Sequence, residues 1–114
     1  MNTTLQPALF TLEPTVTPKY GKEATIQERF EAFNRANPHV YEALRTLTFE
    51  MRQRGVPRYS IKGLFEQLRW LYALQTKGEE YKLSNDFTSR YVRLLIDRNP
   101  SLVGFFTTRE LRAE

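Results

Sequence analysis

The run Gly55-Val56-Pro57-Arg58-Tyr59-Ser60 separates two stretches whose apolar residues recur with helical period, and it limits the folds open to this chain. Gly55 reaches the left-handed conformation that closes a helix, and Pro57 cannot continue one. Ser60 offers its hydroxyl to the free backbone N–H groups two or three residues on, so a new helix is expected to start there. Upstream, Val40, Leu44, Leu47 and Met51 recur at intervals of four, three and four. Downstream, Ile61, Leu64, Phe65 and Leu68 form a second inward stripe. A helix, a turn and a capped basic helix make the outline of a helix-turn-helix reader. Many helical corners that bind nothing share it.

Stop and start signals frame the other elements. Thr25-Ile26-Gln27-Glu28 is a capping box opening a helix with Ile26, Phe30 and Phe33 on one face. Pro38 disfavours helical backbone at Asn37, so that helix should end there, with Asn37-Pro38 as N-cap and first residue of the next. Ser84 or Asn85 caps a fourth helix, Phe87, Tyr91, Leu94 and Leu95 line its buried face, and Asn99-Pro100 ends it. The tail Leu102-Val103-Gly104-Phe105-Phe106 is too apolar to be left in water and is expected to fold back on the core. Thr107 to Glu114 are expected to add one final turn. Residues 25–114 then form a single domain. Residues 1–24, with Pro7, Pro14 and Pro18 among threonines, read as a flexible arm, disordered to about Lys19. Leu5, Leu9, Phe10, Leu12 and Val16 leave docking on the domain or on a partner as the alternative.

The stretch after Trp70 admits two readings. A helix can run on to Lys77, with Gly78 closing it. Alternatively Tyr72–Thr76 and Tyr81–Leu83 form a hairpin around Lys77-Gly78-Glu79-Glu80, because Tyr72, Leu74 and Thr76 alternate with Ala73 and Gln75. The alternation favours the hairpin. The expected class is thus mainly α with a small β-hairpin (α+β), a four-helix compact domain of winged-helix type. Trp70 closes an apolar stripe and is expected in the core or an interface, the alternative being a base-stacking platform.

Composition excludes several function classes. The chain has no cysteine, hence no disulfide, thiolate nucleophile or thiolate metal site. Its single histidine, His39, follows Pro38 and has no oriented partner in sequence. No carboxylate cluster has metal-ligand spacing, and there is no Walker A sequence, dinucleotide fingerprint or nucleophile elbow. A non-enzymatic protein without metal or cofactor is expected. No apolar run has transmembrane length and the N-terminus lacks signal-peptide features, so the expectation is a cytoplasmic protein without a membrane partner.

Charge distribution gives the functional lean. The net charge of +4 is concentrated in residues 45–98, with eleven Lys/Arg against six Asp/Glu. Such a segment attracts polyanions, or is simply a solvated basic face. Arg58, Tyr59, Ser60 and Lys62 cluster where a helix N-terminus would present N–H groups to phosphate. Lys62, Glu66 and Arg69 share one helical face, which pairs internally or enters a major groove, where Arg69 and Lys62 read guanine and Gln67 adenine. In the hairpin reading, Lys77 and Lys82 flank the tip of a wing on the DNA backbone. The candidate nucleic-acid-binding set is therefore Arg58, Tyr59, Ser60, Lys62, Gln67, Arg69, Lys77 and Lys82.

The helices 26–37, 40–54 and 61–70 followed by a hairpin resemble a winged helix-turn-helix domain over residues 25–83. The string Asn37-Pro38, Tyr59-Ser60-Ile61-Lys62, Leu68-Arg69-Trp70, Tyr81-Lys82-Leu83-Ser84-Asn85, Tyr91-Val92-Arg93, Asn99-Pro100, Gly104-Phe105-Phe106 and Arg109 is similar to a family of short phage- and prophage-encoded proteins with no assigned function. That resemblance covers residues 30–112 and implies a transcriptional, replicative or anti-defence role; it carries over no catalytic residue. The expected function is a DNA-binding regulatory protein of phage type. The alternative is a protein-interaction or inhibitor module in which Trp70, Tyr72 and the apolar tail form a partner patch.

Overall fold

The computed structural model describes residues 11–107. Four helices follow one another: α1 (Ile26–Ala36), α2 (Pro38–Gln53), α3 (Ile61–Thr76) and α4 (Thr88–Arg98), with single 3-10 turns at Asn85–Phe87 and Pro100–Leu102. The starts are where local chemistry puts them. Thr25 and Glu28 complete the reciprocal capping box of α1. Ser60 Oγ accepts the Gly63 N–H at 2.9 Å to start α3. Ser84 Oγ accepts from the Asp86 N–H at 3.0 Å, setting the 3-10 turn that leads into α4.

The two Asn-Pro stops share one device. The following proline keeps each asparagine out of helical backbone, with φ −132° and ψ 62° at Asn37 and φ −135° and ψ 77° at Asn99. Each side-chain amide then turns back to the carbonyl four residues earlier, Phe33 or Leu95, at 2.9 Å. Asn37 also donates to the Val16 carbonyl and accepts the Val16 N–H. Asn99 donates to the Tyr41 hydroxyl and accepts from Arg45. Asn37 occupies the N-cap position of α2 without making a side-chain capping bond. Its side chain secures the arm instead.

The hairpin expected after Trp70 is not formed. Among the described residues there is no strand; the only pairing of that kind is an isolated parallel bridge between Tyr59 and Phe106. The winged α+β class therefore gives way to an all-helical, four-helix domain. Helix α3 runs through Thr76 and closes on Lys77 at φ 64° and Gly78 at φ 104°, both N–H groups returning to the Ala73 carbonyl. The physical reason lies in the backbone. A two-stranded hairpin leaves outer edges unpaired and is marginal alone, whereas Leu71, Ala73, Leu74 and Gln75 favour helix and each turn satisfies its own hydrogen bonds. Helical continuation also sets Tyr72 on the same inward stripe as Leu68.

Helix α3 is the central element, packed against both α2 and α4. Ile61, Leu64, Phe65 and Leu68 are wholly buried there, with Val40 and Leu44 of α2 and Tyr91, Val92 and Leu95 of α4. The apolar tail folds back as expected: Leu102, Phe105 and Phe106 are buried, and the Tyr59 N–H donates to the Phe105 carbonyl at 3.0 Å. The expected final turn lies mostly outside the described residues. On the other side, Leu12 is buried, and its N–H and carbonyl both bond to the Gln75 side chain. His39 Nε2–H donates to the Pro14 carbonyl at 3.1 Å. Residues 11–16 thus lie along α2 and α3; Leu5, Leu9 and Phe10, the other apolar residues of the arm, lie outside the described residues.

Tyrosine burial gives this core a pH dependence. The Tyr72 and Tyr81 rings lie 5.0 Å apart, and Tyr91 meets Phe30 edge-on at 4.8 Å. The Tyr81 and Tyr91 hydroxyls are buried with no hydrogen-bond partner among the described residues. Burial pushes both far above the usual tyrosine value, reinforced by Tyr72 for Tyr81 and by Tyr81 for Tyr91. The folded state therefore holds these protons more tightly than the unfolded state. Their contribution to stability is complete below about pH 10 and declines as pH rises above it. In an alkaline absorbance titration, Tyr81 and Tyr91 should stay silent through the ordinary tyrosine range and ionise only with unfolding. A Tyr81→Phe, Tyr91→Phe double variant should stay folded to higher pH; unfolding at the same alkaline midpoint would refute the assignment.

Candidate functional site

The eight residues singled out by sequence lie ahead of and in the first turn of α3 (Arg58, Tyr59, Ser60, Lys62), along it (Gln67, Arg69), and at or beyond its end (Lys77, Lys82). Arg58 is exposed in the connection ahead of α3, and Lys62 is exposed in its first turn. Tyr59 is half-buried, its ring lying over Gly63, where an added Cβ would come within 2.6 Å of Cε2. With its backbone tied to Phe105 and its ring on α3, Tyr59 is an anchor for the tail. Ser60 is occupied as the cap.

Arg69 departs furthest from its expected role. One terminal nitrogen donates to Glu66 at 2.7 Å; the other donates to the Leu83 carbonyl and to Asn85 Oδ1, the latter at 2.9 Å. The guanidinium also lies over the Phe65 ring at 5.8 Å. It is thus a clasp holding the 83–85 segment against α3, with few donors left for phosphate. The other basic side chains of residues 45–98 are largely engaged in the same way. Arg45 bonds Asn99, Arg52 bonds Ser101 and stacks on Phe49, Arg54 pairs with Glu50, and Arg90 bonds Gln27.

Lys77 and Lys82 do not flank a hairpin tip. Lys77 is the exposed left-handed cap of α3. Lys82 lines a separate cleft of about 350 Å³ with Tyr20, Arg29 and Ser84 at its sides and Phe33 and Phe87 as apolar floor. The connection between α2 and α3 spans residues 54–60, longer than the turn of about three or four residues in a helix-turn-helix.

Of the partner patch read from Trp70, Tyr72 and the apolar tail, only Trp70 stands on the outer face of α3 beside Leu74; Tyr72, Leu102, Phe105 and Phe106 are buried. Trp70 is 57% exposed and Leu74, one turn on, is 55% exposed. Both stand opposite the Ile61–Leu68–Tyr72 stripe, so the expected core role of Trp70 is corrected. Gln67 is exposed one turn before Trp70, and Lys77 follows Leu74. The signal was present in the helical period. A stripe centred on Ile61, Leu64, Leu68 and Tyr72 directs positions 70 and 74 outward once the helix continues to Thr76.

Among the described residues, no group of three or more His, Asp and Glu side chains is arranged to hold a metal ion. No helix among them is long and apolar enough to cross a membrane. No family model matches the chain, and neither a curated protein nor a solved structure matches it.

Proposed function

We propose that this chain is a non-enzymatic interaction module that docks a protein partner on the outer face of α3. The observation carrying this reading is the exposure of Trp70 and Leu74 side by side on a helix whose other face is the centre of the core. Covering the pair would remove on the order of 200 Å² of apolar surface from water. That is about 5 kcal/mol before the costs of association. Tryptophan is also the residue type most often found as an interface anchor.

Nucleic acid is the second reading. It rests on the exposed Arg58 and Lys62 near the N-terminus of α3 and on Lys77 at its other end, with Trp70 available for stacking. Leu74 and Glu66 beside Trp70 favour protein over a phosphate backbone, as does the internal use of Arg69. The resemblance to phage-encoded proteins makes a host protein a fitting partner class.

A photo-crosslinking benzophenone at position 67, with position 31 on the outside of α1 as control, separates the two. Irradiation of cells expressing the chain should give discrete protein adducts from position 67 and none from position 31. Nuclease-sensitive adducts, or duplex binding with a log–log salt slope near −3 from about three phosphate contacts, would replace this reading by the nucleic-acid one.

A further inference from the structure

Resting on that docking reading, we propose that the partner covering this face is a second copy of the chain, its α3 packed antiparallel against α3 about a two-fold axis. The face is self-complementary in charge when the two helices run antiparallel. At about 100° per residue, Trp70 and Leu74 sit about 40° apart, and the line between them is the middle of the exposed stripe. By Cα position Glu66 and Lys77 both fall on the Trp70 side of that line, one beyond each end of the pair, Lys77 being the left-handed residue that closes the helix.

A two-fold axis perpendicular to two antiparallel helices keeps each flank on its own side while reversing direction. Centred between Trp70 and Leu74, it brings Trp70 against the partner's Leu74. On one flank it brings Glu66 within about one residue rise of the partner's Lys77. Each contact then occurs twice. A parallel pairing would leave Glu66 and the partner's Lys77 about 16 Å apart in height, so neither ion pair would form.

The side chains are prepared for this. Glu66 is held by Arg69 at 2.7 Å yet is 64% exposed, so its carboxylate is oriented and still open to a second cation. Lys77 is exposed at the end of the helix. The flank between them carries Ala73, which leaves room for a second helix. A seam one helix wide, about 24 Å long, falls below standard interface size, so association in the micromolar range is expected. The two ion pairs fix direction and register more than affinity.

Sedimentation of the full chain over about 10–500 µM tests this. The mass should rise from 13.5 kDa towards twice that value across the range. Trp70→Ala should remain monomeric throughout, with unchanged helical circular dichroism. Lys77→Glu should weaken association at least tenfold, and adding Glu66→Lys should restore it to within about threefold. A folded monomer at the highest concentration would overturn the inference, as would a dimer indifferent to Trp70→Ala. Failure of the double swap to restore association would overturn the antiparallel register. A monomer that still forms protein adducts from position 67 removes the self-pairing and leaves the docking reading standing. A monomer without such adducts removes both.

Discussion

Phe65→Ala is expected to lower the melting temperature by about 15–30 °C, and Trp70→Ala to leave it within about 2 °C. Phe65 is fully buried on α3, so truncation costs about 3–5 kcal/mol in lost transfer energy and cavity. A domain of this size has only about 5–15 kcal/mol in reserve, so the variant will be barely folded at best. Trp70, five positions on, is 57% exposed and leaves no core cavity when shortened. Its emission should be solvent-like and quenched by iodide at protein concentrations too low for self-association. A blue-shifted, shielded emission in that dilute range, together with a melting loss comparable to that of Phe65→Ala, would return Trp70 to the core.

Arg69→Ala should lower stability by about 2–3 kcal/mol, whereas Lys62→Ala should change it by less than about 0.5 kcal/mol. The Glu66 ion pair is partly solvent-exposed and contributes little of that loss. The larger share comes from the bonds to the Leu83 carbonyl and Asn85, which fasten the 77–85 segment over the Tyr72–Tyr81 contact. Amide hydrogens in this segment should therefore exchange faster in the variant, while those of α1 keep their protection. Arg69→Lys should recover only part of the stability, since an ammonium lacks the planar fork that reaches three partners. Equal stability of Arg69→Ala and the parent would return the side chain to the role of an available reader.

The same α3 residues show how far sequence reasoning reached. Lys62, Glu66 and Arg69 do share a polar face, and the ion pair weighed against groove reading is present between Glu66 and Arg69. The sequence could not reveal that a loop fourteen residues further on would present its Leu83 carbonyl to the same guanidinium. Arg58 and Lys62 remain exposed, as a reader's would, while Arg69 is taken up by the 83–85 segment.

Helix starts and stops were written locally. The Thr25 capping box, the Ser60 cap, Gly55 and the two Asn-Pro pairs act through bonds spanning only a few residues, so their chemistry suffices to place α1, α2 and the start of α3. The far end of α3 was different, because Tyr72–Thr76 satisfies the spacing of a strand and the propensity of a helix at once. Packing of Tyr72 against Tyr81, closure over Lys77 and Gly78, and the lack of any strand among the described residues decided it. From that one decision follow the outward direction of Trp70 and Leu74 and the loss of the wing. The fate of Asn37 was likewise tertiary: proline fixed its backbone, but only the return of Val16 along α2 gave its buried amide partners beyond its own helix. Local hydrogen bonding thus marked where the helices begin and break, while contacts between distant segments determined which faces they bury and which they leave for a partner.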